Sequence, residues 1–341
     1  MRSQGLLGAG VGVVEAGRTQ PGQVELSFSH PWIDSSNVYC RVSLYSDADR
    51  TRRLSYREVP GNEEETGFNK VGLPAGTYYV RIDALYWSAE EYTFSVTYRQ
   101  GMNYEQEPND TQNTATLINT GLPYMGSLAD TSDADWYRFT VPTAGVLTLN
   151  FKHALIDSPS VYWKLGLVDI NNNMIAGIDV PGNREDLTSY SIGVGPGTYC
   201  IKVSSMFFSD MEYALTVNFT PSNNWEREPN NTTAQATQIL PGIVYSGVIS
   251  SPSDVDFFMF ATNGGNVSVT FTHDWFNAAG TYWVITIINS NGITEHLRLE
   301  SPGTAGSLTS PTIALPAGTY YLRIAPFFFS DVEYSFSVNV N

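Results

Sequence analysis

Apolar and polar positions alternate with a period of two along most of the chain. Leu149, Phe151 and His153 alternate with Asn150 and Lys152, and Tyr199, Ile201 and Val203 alternate with Cys200 and Lys202. Successive strand side chains project to opposite faces, so this pattern predicts strands with one face buried. Pro-x-Gly and Asn-Gly turns break the runs roughly every 8 to 12 residues, the spacing of an antiparallel sandwich or barrel. Helical signals are nearly absent. One short helical turn is predicted over residues 110–117, with Asp110, Thr111 or Asn113 as its cap. The predicted fold class is all-β, an antiparallel β-sandwich.

The pattern recurs three times. Leu73-Pro-Ala-Gly-Thr-Tyr-Tyr-Val-Arg-Ile82, Val194-Gly-Pro-Gly-Thr-Tyr-Cys-Ile-Lys-Val203 and Leu315-Pro-Ala-Gly-Thr-Tyr-Tyr-Leu-Arg-Ile324 are versions of one phrase. Each runs on to a Glu-Tyr strand, at Glu91-Tyr92, Glu212-Tyr213 and Glu333-Tyr334. Tyr78, Tyr199 and Tyr320 are 121 residues apart at both steps. A second phrase recurs upstream as Leu26-Ser-Phe-Ser-His30, Leu149-Asn-Phe-Lys-His153 and Val269-Thr-Phe-Thr-His273. A period this long is a whole domain, not a solenoid unit. The expected domains are residues 1–101, 102–221 and 222–341.

Composition narrows the partners. The 341 residues exceed one ordinary core. The formal net charge of −16 repels phosphate backbones and anionic lipid, so neither nucleic acid nor a membrane surface is expected as a partner. No apolar run approaches the roughly 18 residues of a membrane span, so no insertion is expected. Residues 1–14 make a poor secretory leader, because the apolar part from Leu6 to Val14 is broken by glycine and Glu15 follows at once. The chain is expected to begin inside a longer protein. Cys40 and Cys200 fall in different repeats, where the other copies carry Trp163 and Trp283, or Tyr79 and Tyr321. They are expected to be buried thiols filling aromatic positions, not a disulfide or a nucleophile.

An acidic phrase occurs twice, as Glu105-Gln-Glu107-Pro108-Asn109-Asp110 and Glu226-Arg-Glu228-Pro229-Asn230-Asn231. About 25 residues later come Asp133-Ala-Asp135 and Asp254-Val-Asp256. Glu-x-Glu in an extended segment turns both carboxylates to one side. Proline holds the backbone, and Asn or Asp adds short oxygen ligands. An Asp-x-Asp pair from another strand then completes a cage of six to eight oxygens, which suits calcium better than magnesium. Alone, either phrase reads equally as a solvated linker or as turn chemistry; the duplication favours a metal. The first repeat lacks the acidic half. Either the chain starts within a domain, or residues 5–16 supply a degenerate strand, and an incomplete sandwich leaves an edge open to strand exchange with another chain.

With the following Gly126, Asp-x-Asp-Trp-Tyr-x-Phe139 and the terminal Gly-Thr-Tyr phrase, these residues resemble the bacterial pre-peptidase C-terminal domain. The collagen-binding domains of clostridial collagenases are its best-known relatives. The resemblance covers residues 103–341 as two copies and 1–101 as the back part of a third. It implies three tandem jelly-roll-like sandwiches, secreted or on the cell surface, accessory to a peptidase or part of a surface protein. It also implies calcium ligation by Glu105, Glu107, Asn109, Asp110 and Asp135, and by Glu226, Glu228, Asn230, Asn231 and Asp256. Ser132 and Ser253 stand where the collagenase domains carry an acid; Asp133 and Asp254 lie beside them as substitutes. Asn231 replaces an acid, so the third-repeat site is expected to be the weaker.

His30, His153 and His273 occupy one equivalent position on the apolar face of a strand, and hydrogen-bonded, semi-buried rings are expected; His296 reads as a loop residue. Before each Glu-Tyr strand lies an aromatic cluster containing Tyr86 and Trp87, Phe207 and Phe208, or Phe327 and Phe328. Read as strand residues, these must point both ways, leaving at least one per repeat to meet a polymer or a neighbouring module. No nucleophile, zinc or phosphate-loop motif accompanies them. The expected function is a non-catalytic, calcium-binding array that adheres to an extracellular protein or polysaccharide. The alternative is a structural subunit that self-associates by strand exchange through the first domain.

Overall fold

The strand Gly145–His153 buries Leu147, Leu149, Phe151 and His153 and turns Lys152 to solvent, as the alternation requires. In Gly197–Ser205 the inward face is Tyr199, Ile201 and Val203. Cys200 departs from the pattern: it is buried on the opposite face, under Ala134, Trp136 and Val168. The computed structural model describes residues 2–6, 12–68 and 70–341. Among these, every regular element is a strand except the 3-10 turn Gln112–Thr114. Thr111 caps that turn, so the predicted helical segment is present but shorter. No helix among the described residues is long and apolar enough to cross a membrane.

Packing divides the chain into two compact units. The first comprises Met1–Phe139, Asn150–Leu187 and Tyr199–Val217. Within it, one antiparallel sheet runs in the order Arg2–Leu6, Glu91–Gln100, Gly22–Ser29, Glu65–Gly67, with Val71–Leu73 also paired to Gly22–Ser29. A second runs Gly12–Arg18, Gly76–Ala84, Val38–Tyr45, Arg53–Pro60. Val24, Leu26, Phe28 and Phe94 of the first sheet pack with Val42, Leu44, Val80 and Ile82 of the second in one core, which makes a β-sandwich. A further sheet of this unit runs Thr116–Leu117, Ala134–Val141, Gly197–Ser205, Val161–Asp169, Met174–Pro181.

The N-terminal strands correct one expectation. Gly5 pairs with Tyr92 and Gly12 with Ile82. The same register joins Gly126 to Tyr213, Gly247 to Tyr334 and Asp256 to Ile324. The edge expected to be open to strand exchange is therefore occupied by the chain's own backbone, through Arg2–Leu6 and Gly12–Arg18. Of the degenerate strand expected over residues 5–16 and the poor leader expected over 1–14, residue 1 and residues 7–11 lie outside the described residues. The register also places Gly12 where the acidic repeats carry Asp135 and Asp256, so the first repeat lacks that carboxylate.

The second unit comprises Thr140–Leu149, Thr188–Thr198 and Asn218–Asn341. Its main sheet follows the order Val244–Gly247, Tyr334–Val340, Asp256–His273, Ile313–Pro326, Thr281–Asn289, Glu295–Pro302. Asp256–His273 is one continuous strand that pairs first with Ile313–Pro326 and then with Tyr334–Val340, and Gly264 and Gly265 take φ of 95° and 140° near its middle, a conformation that favours glycine. Phe258, Phe260, Phe271, Trp283, Leu322 and Phe336 fill the core.

Aromatic rings run through these cores in series. Tyr213, Phe151, Trp163 and His153 have successive centroid separations of 4.8, 5.5 and 4.4 Å. Tyr334, Phe271, Trp283 and His273 repeat them at 5.4, 5.7 and 4.3 Å. The three histidines are buried, and each ring Nδ1 bonds the carbonyl of the next residue, which is a structural role. His296 lies in the strand Glu295–Pro302, edge-on to Tyr320, and not in a loop.

Cys40 and Cys200 are buried and free. Burial pushes the Cys40 thiol up to about 12. Thiolate is the reactive form, so a maleimide or disulfide reagent is expected to leave both cysteines unmodified in the native protein and to label two per chain after denaturation. Rapid native labelling would contradict the packing.

Candidate metal centre

Each acidic phrase forms an extended strap gripped from two sides. Glu105 N donates to Met125 O at 2.8 Å and Glu107 N to Gly72 O at 2.9 Å. Glu226 N donates to Ser246 O and Glu228 N to Gly193 O, both at 3.0 Å. Between them, Gln106 N and Arg227 N donate to Thr116 Oγ1 and Thr237 Oγ1, each at 2.9 Å. Alternation along the strap then aims both glutamates at one space. Both Glu–Pro bonds that follow are cis. Asn109 O and Asn230 O accept from Trp136 N and Phe257 N, at 3.1 and 3.0 Å, which fastens the strap to the strands that carry Asp135 and Asp256.

The result is two groups of carboxylates. Oxygens of Glu105, Glu107 and Asp135 lie within 4.8 Å of one another, as do those of Glu226, Glu228 and Asp256. Glu105, Asp135, Glu226 and Asp256 are essentially inaccessible to solvent. The Asn109 amide has two settings: with Nδ2 toward Thr116 Oγ1 at 3.3 Å its Oδ1 faces the carboxylates, and turned over its Nδ2 donates to Asp135 Oδ1 at 3.2 Å and Glu107 Oε1 at 3.3 Å, which satisfies both. A cation in the cluster selects the first setting and an ion-free cluster the second. In the second group Glu228 Oε1, Asn230 Oδ1 and Asp256 Oδ1 are buried with no hydrogen-bond partner.

Neutral donors hold the outer oxygens. Ser127 N reaches Glu105 Oε2 at 3.2 Å, and Val248 N reaches Glu226 Oε1 at 2.8 Å. Tyr213 donates to Asp135 Oδ2 and is itself joined to Tyr137 Oη at 2.8 Å. Tyr334 donates to Asp256 Oδ2 at 2.5 Å and lies 3.3 Å from Glu226 Oε2. Among the described residues no Lys or Arg forms an ion pair with any of these six carboxylates.

Such an arrangement disfavours negative charge. Burial first, then the neighbouring carboxylates, raise Glu105, Glu107, Asp135, Glu226 and Asp256 well above the usual range. Burial and Asp254 push Glu228 up to about 8. At an effective dielectric of about 20, two unit charges about 5 Å apart repel by roughly 3 kcal/mol, and each group contains three such pairs. Buried orphan oxygens cost about 1–3 kcal/mol each when left unpaired. A positive ion in the middle removes both penalties together, so the donor sets fit a metal ion; all donors are oxygen.

The remaining sequence candidates lie around these groups. Asp133 Oδ2 accepts from Ala129 N at 2.6 Å and Asp254 Oδ2 from Ser250 N at 2.7 Å, so each also closes the turn before its strand. Both adjoin the clusters: Asp133 raises Glu105, Glu107 and Asp135, and Asp254 raises Glu226, Glu228 and Asp256. Burial pushes Asp133 itself up to about 7, with Asp110 adding to the effect. Asp110 is exposed, and its charge adds to the rise at Glu107 and Asp133. Asn231 is also exposed, and its Oδ1 accepts from Val255 N at 2.9 Å.

Tyr137, Tyr213, Tyr334, Ser127 and the threonines that hold the straps, Thr116 and Thr237, carry no signal of the site in the sequence. Tyr213 and Tyr334 sit in the recurring Glu-Tyr phrase, but Tyr92 recurs there without acids, so the pattern pointed to the core. The aromatic clusters correct another expectation. They lie in loops after Gly76–Ala84, Gly197–Ser205 and Ile313–Pro326, not in strands, so no alternation applies. All six are exposed, Trp87 most at 77 %. Tyr86, Phe207 and Phe328 lean on Tyr39, Tyr162 and Tyr282 at 6.0, 6.1 and 5.9 Å. Phe208 also borders a cleft of about 340 Å³ lined by Tyr56, Arg57, Asp130 and Asp210.

No protein-family model matches the chain. No curated protein matches it either. Solved structures similar to it include the pre-peptidase C-terminal domain of collagenase from Bacillus anthracis, at 15 % identity and a TM-score of 0.27, over 32 % of this chain and 100 % of that one. The tandem CBM22 domains of Paenibacillus barcinonensis Xyn10C are similar at 9 % identity and a TM-score of 0.20, over 60 % and 82 %. PNGase F, a glycosylasparaginase from Flavobacterium meningosepticum, is similar at 11 % identity and a TM-score of 0.27, over 66 % and 95 %.

An acid whose folded pKa lies above its unfolded value stabilises the fold fully below the unfolded value and loses that contribution as pH rises through the folded one. For Glu228 that window runs from 4.5 to about 8, and for Asp133 from 3.8 to about 7. In EDTA, the melting temperature is therefore expected to fall between about pH 5 and pH 8. A series of melts across that range checks this; a flat or rising profile contradicts it.

Proposed function

We propose that the chain is a non-catalytic, secreted array of three β-sandwich modules, residues 1–101, 102–221 and 222–341, stiffened by calcium at two straps. The array binds or adheres to an extracellular polymer, protein or polysaccharide. The observation that carries the calcium reading is the convergence of Glu228 Oε1, Asn230 Oδ1 and Asp256 Oδ1, buried and unpartnered, beside Glu226. Three carboxylates and an amide make an all-oxygen set, which suits a hard cation. Calcium accepts six to eight oxygens in irregular geometry, whereas magnesium demands an octahedron and keeps its waters. Glu105, Glu107, Asn109 and Asp135 make the equivalent set, with Asp110 and Asp133 as further acids at its margin. Asn231 replaces Asp110 in the other copy, so the Glu226 site is the weaker of the two.

The polymer reading rests on the exposed loop aromatics, Tyr86 and Trp87, Phe207 and Phe208, Phe327 and Phe328, which belong to the same loop in each repeat. Recurrence suits a partner that itself repeats. An accessory role beside a peptidase follows from the resemblance to the pre-peptidase C-terminal domain.

Two opposed shifts test the calcium assignment. Calcium at a hundredfold excess over Kd stabilises the folded chain by about 2.7 kcal/mol per site, so the melting temperature is expected to rise on leaving EDTA for millimolar calcium. Glu228→Gln removes one buried like charge and is expected to melt above the wild type in EDTA at pH 8. It is expected to gain less than the wild type from calcium. Equal melting of the wild type in both buffers refutes the calcium assignment.

A further inference from the structure

Each strap is seated on a glycine of the repeat before it. A Cβ at Gly72 would lie 2.1 Å from Glu105 O and 2.7 Å from its Cγ; one at Gly193 would lie 2.1 Å from Glu226 O and 3.1 Å from its Cγ. The closest atom in both cases is backbone, which has no rotamer to move to. Neither glycine has positive φ, so space and not conformation demands glycine here. The glycines also bond to the straps. Gly72 N–H reaches Glu105 Oε1 at 3.4 Å, and Gly72 O and Gly193 O accept the N–H groups of Glu107 and Glu228. On their other side they belong to the ladders of the preceding repeats, where Gly72 pairs with Gln23 and Gly193 with Val146.

We infer that Gly72 and Gly193 are positioning residues that couple cation binding at each strap to docking of that strap on the preceding repeat. The inference rests on the calcium assignment above. Two of the three carboxylates at each site come from the strap, so a strap lifted from its glycine seat takes both away. Coupling of this kind is reciprocal: an ion that orders the strap tightens the seat by the same factor that loss of the seat weakens the ion. The third repeat carries Ala314, paired with Asn266, at the equivalent position. Its methyl group occupies the space that a strap carbonyl fills in the other two, so this repeat does not offer the seat.

Hydrogen exchange on the unmodified chain, in EDTA and in calcium chloride, tests the coupling without any variant. Calcium is expected to slow exchange at least tenfold at Gly72 and Gly193 of the preceding repeats, as well as along residues 105–110 and 226–231. Protection of the straps with unchanged exchange at both glycines overturns the coupling and leaves the calcium assignment standing; no protection anywhere overturns both. Calorimetric titration of Gly193→Ala is expected to show at least tenfold weaker calcium binding at one site, with the other unaltered. Gly177→Ala, whose Cβ meets nothing within 4 Å, is expected to keep both sites intact. Two unaltered affinities in Gly193→Ala likewise overturn the coupling.

Discussion

Three carboxylates pointed into one dry space cannot all be anions unless something positive shares that space. This constraint governs the residues around Glu105, Glu107 and Asp135 and their counterparts Glu226, Glu228 and Asp256. Water is excluded from most of these side chains, and among the described residues no basic side chain is paired with them. The protein supplies hydroxyl and amide donors to the outer oxygens and none to several of the inner ones. Donors that merely satisfied buried acids would have been expected to reach those inner atoms too.

The hydrophobic core and the site are one construction. Tyr213 and Tyr334 begin the aromatic series through Phe151 and Trp163, or Phe271 and Trp283, and end with a hydroxyl on Asp135 or Asp256. Packing of the rings therefore fixes the carboxylate. The first repeat retains Tyr92 stacked on Phe28 at 5.0 Å, but Cys40 replaces the tryptophan and Gly12 the aspartate. The core pattern persists there without the site.

Much of this was legible in the sequence because both signals are periodic. Alternation in residues 145–153 and the 121-residue spacing disclosed strands and repeats, and the doubled Glu-x-Glu phrase disclosed which acids converge. What stayed hidden depends on three dimensions. Cys200 is buried on the face that alternation assigns to solvent, because Trp136 covers it. The strands at Arg2–Leu6 and Gly12–Arg18 carry so little apolar pattern that the sequence offers a degenerate strand over residues 5–16 only as an alternative, and their register against Tyr92 and Ile82 gives the pairing. The glycine seats are invisible in one dimension, since Gly72 and Ala314 differ by a methyl group whose meaning depends on a strap some 30 residues away from Gly72.

A crystal structure of the chain grown in calcium chloride tests the central claim most directly. The account predicts a strong anomalous peak at each site, with oxygens of Glu226, Glu228, Asn230 and Asp256, and of their counterparts, about 2.3–2.6 Å from it. Water or empty density in both places, with the carboxylates sharing protons, would contradict it.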